Sequence, residues 1–128
     1  MIKQIKYYEK IGDLLASIGN PVRIQILLAI GTGEACVCHL ESLLKLRQAY
    51  ISQQLMLLRK QKIITSRREG KYIFYRLVKS EILELVRSAG EIVDVPKDTL
   101  DILQDHSSCE CPKCASIPVQ IEQLPEQV

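Results

Sequence analysis

The sequence predicts a mainly α-helical fold with one small β-hairpin. Apolar residues recur at helical spacing through most of the first 61 residues, and two of the predicted helices are separated by only the three residues 45–47. A glycine turn then lies between two segments rich in β-branched and aromatic residues. With 128 residues and 47% hydrophobic content, the chain has the size of one small domain.

The first two helices meet at Asn20-Pro21. Apolar residues at helical spacing over Ile11–Ile18 predict an amphipathic helix that ends near Gly19. Asparagine is a favoured N-cap and proline a favoured first helical residue, so a second, largely apolar helix is predicted from Pro21 to about Ile30.

A helix-turn-helix follows. A short helix is predicted from Cys36 to Leu44, and a longer one from Gln48 to Gln61. The inward stripe of the longer helix consists of Ile51, Leu55 and Leu58. Because the helix advances by ~100° per residue, the side opposite this stripe carries Ala49, Gln53, Met56 and Lys60.

The predicted hairpin is strongly basic. Its flanks are Ile64–Arg68 and Tyr72–Val78, and Glu69-Gly70-Lys71 forms the turn. A helix-turn-helix followed by such a hairpin is a winged helix.

Beyond the hairpin, a helix from Ser80 carries a narrow apolar stripe on an otherwise acidic surface. The stripe consists of Ile82, Leu85, Val86, Ala89 and Val93. Such a stripe on a terminal helix favours a seam with a partner helix, so we expect a dimer. A short helical piece is predicted near Thr99–Leu103. We expect residues 1–105 to form the winged-helix and dimerisation domain and residues 106–128 a cysteine-rich tail.

Charge is distributed very unevenly although the net charge is only +2. Residues 44–79 contain ten lysines and arginines and one acidic residue, whereas residues 80–128 contain three basic and ten acidic residues. A basic block that coincides with a helix-turn-helix favours a polyanionic partner, and double-stranded DNA fits best.

Base-reading candidates lie on the second helix of the motif. They are Gln48, Ala49, Tyr50, Ser52, Gln53 and Gln54. Glutamine can bond adenine through two hydrogen bonds, serine can serve any base, and alanine allows close approach. Arg67, Arg68 and Lys71 of the hairpin are expected to hold phosphates, which gives affinity without sequence information.

No stretch approaches the ~18 uninterrupted apolar residues of a membrane span, and no secretory signal is evident. We therefore expect a cytoplasmic protein without a membrane partner. An enzymatic thiol oxidoreductase is disfavoured because no βαβ pattern or helix-opening Cys-x-x-Cys exists.

Cys36-Val37-Cys38 is the first of two cysteine clusters. Residues two apart on an ideal helix diverge by ~200°, so both sulfurs could bind one ion only if the first helical turn opened. Chelation would then distort the first helix of the motif, which packs against the second, base-reading helix. Small buried cysteines are the alternative, and His39 beside them is predicted to be a surface residue.

The second cluster lies in the tail, where Cys109, Cys111 and Cys114 follow His106. Three thiols within six residues can close on one soft ion, and the histidine would complete the four ligands that zinc prefers. Alternatives are an oxidisable tail, a purely structural zinc module, and redox sensing by either cluster.

Together these segments resemble the ArsR/SmtB family of metal-sensing repressors over roughly residues 10–95. The resemblance rests on the segments 20–27, 33–40, 48–55 and 68–77, and the Cys-Val-Cys box resembles the arsenic- and cadmium/lead-sensing branch. It implies a homodimeric winged helix that binds a palindromic operator when metal-free and is released by an inducer. The inducer would be arsenite, or a soft metal ion such as cadmium, lead or zinc.

The resemblance also assigns residues. Cys36 and Cys38 match the sensing box, Gln48–Leu55 the recognition helix, and Arg67–Tyr72 the wing. Arg47 and Gln54 depart from the residues that are usual there, and no histidine occurs between Ser80 and Asp105 for the zinc site of some members. The cluster at 109–114 lies outside the common pattern.

Overall fold

A computed structural model describes residues 2–101 of the chain. The elements, in order, are α1 (Ile2–Ile18), α2 (Pro21–Ile30), β1 (Ala35–Cys36), α3 (Val37–Leu44), α4 (Gln48–Lys60), β2 (Ile64–Glu69), β3 (Tyr72–Leu77), α5 (Glu81–Ile92) and α6 (Lys97–Asp101). The predicted winged helix-turn-helix is confirmed. The expected tail of residues 106–128 lies outside the described residues.

The junction of α1 and α2 forms as the sequence predicts. The side chain of Asn20 accepts hydrogen bonds from the backbone N–H groups of Val22 (2.9 Å) and Arg23 (3.2 Å), and Pro21 is the first helical residue. These bonds satisfy donors that a helix start leaves unpaired. Within residues 2–101 no single helix is long and apolar enough to cross a membrane; α1 and α2 would suffice only together, and they are bent by 86°.

Helices α3 and α4 form the helix-turn-helix. Lys45 ends α3 in the left-handed conformation (φ 58°), and its N–H donates to the carbonyl oxygen of Glu41 at 3.0 Å. On α4 the inward stripe of Ile51, Leu55 and Leu58 is completely buried, as predicted. Burial of this stripe fixes the face that α4 presents outward.

The sheet has three strands, in the order β1-β3-β2, where the sequence predicted two. Gly70 makes the hairpin turn at φ 62°, a conformation that other residues adopt with strain. The extra strand β1 pairs with β3, with Ala35 opposite Tyr75 and Cys36 opposite Phe74. Because Cys36 belongs to this strand, α3 begins at Val37 and not at Cys36 as expected.

The C-terminal helices close the core from one side. Ile82, Leu83 and Val86 of α5 are buried against it, whereas Leu85 and Val93 of the predicted seam are exposed. Short α6 spans Lys97–Asp101 and so begins two residues before the predicted Thr99, while the predicted end at Leu103 lies outside the described residues. It packs against α5 at Gly90, where an added Cβ would lie 3.4 Å from Cδ1 of Leu100.

Candidate DNA interface and cysteine box

The outer face of α4 carries most of the predicted base-reading residues. Gln48, Ala49, Tyr50 and Gln53 are exposed, and Ser52 is half-buried beside them. The face begins at the N-terminus of α4, where backbone N–H groups lack helical partners and can hold an anion. The arrangement suits insertion of the first two turns of α4 into a DNA groove.

Gln54 departs from this pattern. Its side chain is buried (7% exposed), and Oε1 accepts a hydrogen bond from Nη1 of Arg23 at 2.9 Å. Arg23 also donates from Nε to the carbonyl oxygen of Ser17 at 2.6 Å. The expectation that Gln54 contacts bases is therefore wrong for this conformation. The sequence already indicated that Gln54 is buried, because a residue three positions after Ile51 lies on the inward side of the helix.

Two basic residues of the hairpin are available to a polyanion. Arg68 and Lys71 are exposed, and neither forms an ion pair with another residue of the range 2–101. Nζ of Lys71 lies 5.6 Å from the centroid of the Tyr72 ring. Arg59 and Lys60 add two exposed basic residues at the C-terminal end of α4.

Arg67 has a different environment. Its guanidinium makes two hydrogen bonds to Glu34, Nε to Oε2 at 2.7 Å and Nη2 to Oε1 at 2.8 Å, and Nη1 contacts Oε1 of Glu69 at 2.9 Å. It also lies over the ring of Phe74, 4.7 Å from the centroid. The hydrogen bond to Glu34, followed by that to Glu69, raises the pKa of Arg67 further above its ordinary value. Arg67 thus already has two carboxylate partners within the protein.

The cysteine box lies at the junction of β1 and α3. Cys36 is the N-cap of α3 in extended backbone (φ −88°, ψ 167°), and its Sγ accepts a hydrogen bond from the N–H of His39 at 3.2 Å. Cys36 and Cys38 are joined by a disulfide, with their Cα atoms 5.3 Å apart. The expectation that the sulfurs diverge unless the helix opens is wrong, because Cys36 precedes the helix. His39, predicted at the surface, is buried.

The box contacts the wing and reaches the recognition helix. Cys36 is buried in a small cluster with Phe74, against which Cys38 and Tyr72 pack. Beside the disulfide a cavity of about 240 Å³ is lined by Gln48 of α4 and by Lys71 and Tyr72 of the wing. Chemistry at the sulfurs would therefore act within one cavity shared with both candidate DNA-reading elements.

A metal site cannot be completed from the described residues alone. Within residues 2–101 no group of three or more histidine, cysteine, aspartate or glutamate side chains could hold a metal ion. The remaining predicted ligands, Cys109, Cys111 and Cys114, lie outside the described residues. The box can contribute two sulfurs, and any further donor must come from elsewhere.

An apolar surface extends over α1 and α5. Its exposed large side chains are Ile5, Tyr7, Tyr8, Ile11 and Leu15 on α1, and Leu85, Ile92 and Val93 on α5 and its C-cap. Between the two helices a cavity of about 370 Å³ has almost wholly apolar walls, including Ile18 and Val86. Exposed apolar side chains beside such a cavity are typical of an interaction surface.

Comparisons with known proteins fit this geometry. Residues 20–66 match the family model described as "Bacterial regulatory protein, arsR family". The chain is 35% identical over 91 residues to the "Biofilm growth-associated repressor" of Agrobacterium fabrum, covering 71% of this chain and 78% of that protein. This chain belongs to the ArsR family. It is thus one of a family of DNA-binding transcriptional regulators and not of enzymes.

Other ArsR-family relatives support the same assignment. The crystal structure of the transcriptional repressor BigR from Xylella fastidiosa superposes with a TM-score of 0.63 at 33% identity, covering 70% of this chain and 92% of that one. The "HTH-type transcriptional repressor SmtB" of Mycobacterium tuberculosis is 34% identical over 84 residues, 62% of each chain. The residues that match the family model include the cysteine box and all of α4.

Proposed function

We propose that this ArsR-family protein is a transcriptional repressor that binds operator DNA as a homodimer and releases it when cysteine thiolates bind arsenite or a soft metal ion. The observation that carries the proposal is the position of Cys36 and Cys38. Their sulfurs meet between the wing and the start of α4, next to Lys71, Tyr72 and Gln48. A ligand on both sulfurs would change the shape of the cavity that these elements share.

The donor set favours thiophilic inducers. Thiolates select soft ions such as cadmium, lead, zinc or the metalloid arsenic, and binding requires the reduced, deprotonated sulfurs. Cys36 and Cys38 supply two donors, and we propose that one or more of Cys109, Cys111 and Cys114 supply the others. The basic residues 44–79 and the acidic C-terminal part attract one another, which favours this encounter.

The homodimer is supported by the apolar surface of α1 and α5. Burial of its exposed tyrosine and aliphatic side chains against a second copy would remove apolar area from water at ~25 cal/mol per Å². A two-fold dimer would present two copies of α4 roughly 34–36 Å apart, which matches successive major grooves. Gln53 and its exposed neighbours would then read bases, while Arg68 and Lys71 hold phosphates.

The test uses the full chain with cysteine variants. We expect Cys36→Ser and Cys38→Ser to bind operator DNA like the parent and to keep it when arsenite or cadmium is added, because serine keeps the shape and removes the soft ligand. Fluorescence anisotropy of a labelled operator, with and without the ion under reducing conditions, measures this. The triple variant Cys109→Ser, Cys111→Ser and Cys114→Ser should need more ion for release. Release from the Cys36/Cys38 double variant at the parent's ion concentration would rule out the box as sensor.

A redox input is the second candidate, and the disulfide between Cys36 and Cys38 favours it. Two thiols and one hydrogen peroxide would give the disulfide and two waters, so the sulfurs lose two electrons and peroxide gains them. We expect stoichiometric peroxide to lower the intact mass of the protein by about the mass of two hydrogen atoms. If that step alone releases operator DNA and dithiothreitol restores binding, the input is redox. If oxidised and reduced forms bind DNA equally, it is not.

A further inference from the structure

The wing contains one arginine that the protein itself neutralises. Arg67 lies between Glu34 and Glu69, whereas its neighbours Arg68 and Lys71 form no ion pair with the described residues. The Glu34 side chain is largely covered (16% exposed), and that of Arg67 is 47% exposed. Glu34 thus holds one edge of the guanidinium from its covered side, while Glu69 contacts Nη1 on the exposed side.

The contact with Glu34 has the form of a phosphate contact. Nε and Nη2 donate to the two carboxylate oxygens at 2.7 and 2.8 Å, the parallel pair that a guanidinium also makes with two phosphate oxygens. One guanidinium edge cannot make both pairs at once. DNA and Glu34 therefore compete for this edge of Arg67.

Glu34 is also connected to the cysteine box. It immediately precedes β1, two residues before Cys36, and Cys36 pairs with Phe74, the ring beneath Arg67. The carboxylate, the sulfur, the ring and the guanidinium form one continuous set of contacts across β1, β3 and β2. A displacement of β1 at Cys36 would move Glu34 relative to Arg67.

We propose that Glu34 is an intramolecular phosphate mimic that holds Arg67 away from the DNA backbone, and that the state of Cys36 sets how firmly it does so. The proposal rests on DNA binding by the wing. In this arrangement the sensor acts by changing the number of wing cations available to DNA.

The experiment measures DNA binding by the full-length Glu34→Gln variant. We expect about two- to fivefold tighter binding to operator and unrelated duplexes alike, the size of effect typical of one surface ion pair. The dependence of log K on log salt should steepen by about one unit, because one more cation contacts phosphate. Adding Arg67→Gln should remove both gains.

Glu41→Gln is the matched control, since it makes the same charge change on the exposed surface of α3, away from Arg67. If Glu34→Gln binds no tighter than Glu41→Gln, or with an unchanged salt slope, Glu34 has only a structural role. If Glu34→Gln fails to fold by thermal melting, Arg67→Lys provides the test. Lysine keeps the charge without the two-pronged geometry, so it should bind DNA tighter than the parent, and weaker binding would overturn the proposal.

The coupling to the box is tested separately. Under metal or peroxide, Glu34→Gln should show a smaller fold-change in DNA affinity than the parent. If Cys36→Ser and Cys38→Ser still release DNA while Glu34→Gln tightens binding, the proposed sensor is wrong and the competition for Arg67 stands. If the cysteine variants keep the DNA and Glu34→Gln does not tighten binding, the proposed sensor stands and the competition for Arg67 is wrong.

Discussion

The recognition helix and the wing are held by different forces. Helix α4 is anchored by completely buried Ile51, Leu55 and Leu58, and by the Arg23–Gln54 hydrogen bond. The inner part of the wing is likewise held by buried Ile64, Phe74 and Leu77, whereas its outer part depends on the strand ladder and on the ion pairs of half-exposed Arg67. Burial of apolar surface responds little to salt, whereas exposed ion pairs are screened by it. If both elements contact DNA as proposed, α4 is the fixed one and the outer part of the wing is the one whose contacts respond to salt.

The largest expected effect tests the anchoring of α4. Leu55→Ala should lower the free energy of unfolding by about 2–5 kcal/mol, because it leaves a cavity in the core. Met56→Ala, one residue along and 68% exposed, should change it by no more than ~0.5 kcal/mol. Urea denaturation of both variants at fixed protein concentration measures the contrast. Equal losses would mean that α4 is not anchored by this stripe.

The next effect separates base reading from phosphate binding. Gln53→Ala should lose about 1–3 kcal/mol of discrimination at one base pair of the operator, since a hydrogen-bonding partner of that base is removed. Binding to unrelated DNA should stay near the parent's value. Anisotropy with operators carrying single substitutions locates the affected base pair. A variant whose sequence preference matches the parent's at every position would remove Gln53 from the set of reading residues.

A matched pair of glutamines sharpens the distinction between the two faces of α4. Gln54→Ala leaves Nη1 of Arg23 without its side-chain acceptor, so the free energy of unfolding should fall by about 1–2 kcal/mol. Gln53→Ala, the same change on the exposed side, should leave stability within ~0.5 kcal/mol. Thermal melts of both variants make the comparison. Equal melting temperatures would show that the Arg23 contact contributes nothing to stability.

The smallest effect concerns the wing. Arg68→Ala should weaken binding to all duplexes alike and lower the salt slope by about one unit, as expected for a phosphate contact. Arg67→Ala should weaken binding less, because Glu34 and Glu69 already occupy Arg67. Titrations at several salt concentrations give both slopes. A larger loss of DNA affinity for Arg67→Ala than for Arg68→Ala would show that Arg67, and not Arg68, is the cation available to phosphate.

Local signals predicted most of the fold. Asn20-Pro21 marked a helix start because side-chain capping and the fixed φ of proline are local properties. The stripe on α4 and the turn at Gly70 also depend only on nearby residues. Element bounds were accordingly close to those observed for α2, α4 and both hairpin strands.

Long-range contacts account for what was missed. Strand β1 has only two residues and depends on β3, almost forty residues away, so no periodicity indicates it. Glu34 and Arg67 are separated by 33 positions, and nothing local marks them as partners. The sequence therefore predicted which residues are basic, but not which basic residue is already neutralised.

The shortness of β1 has a consequence for engineering. Side chains alternate across a strand, so one inserted residue between Ala35 and Cys36 would turn the box to the opposite face of the sheet. In the loop before Glu34, Gly31 must be kept because its φ of 59° favours glycine, and a single residue must remain between Glu34 and Cys36. A cysteine box grafted from another family member should be transferred together with this strand and its Phe74 partner.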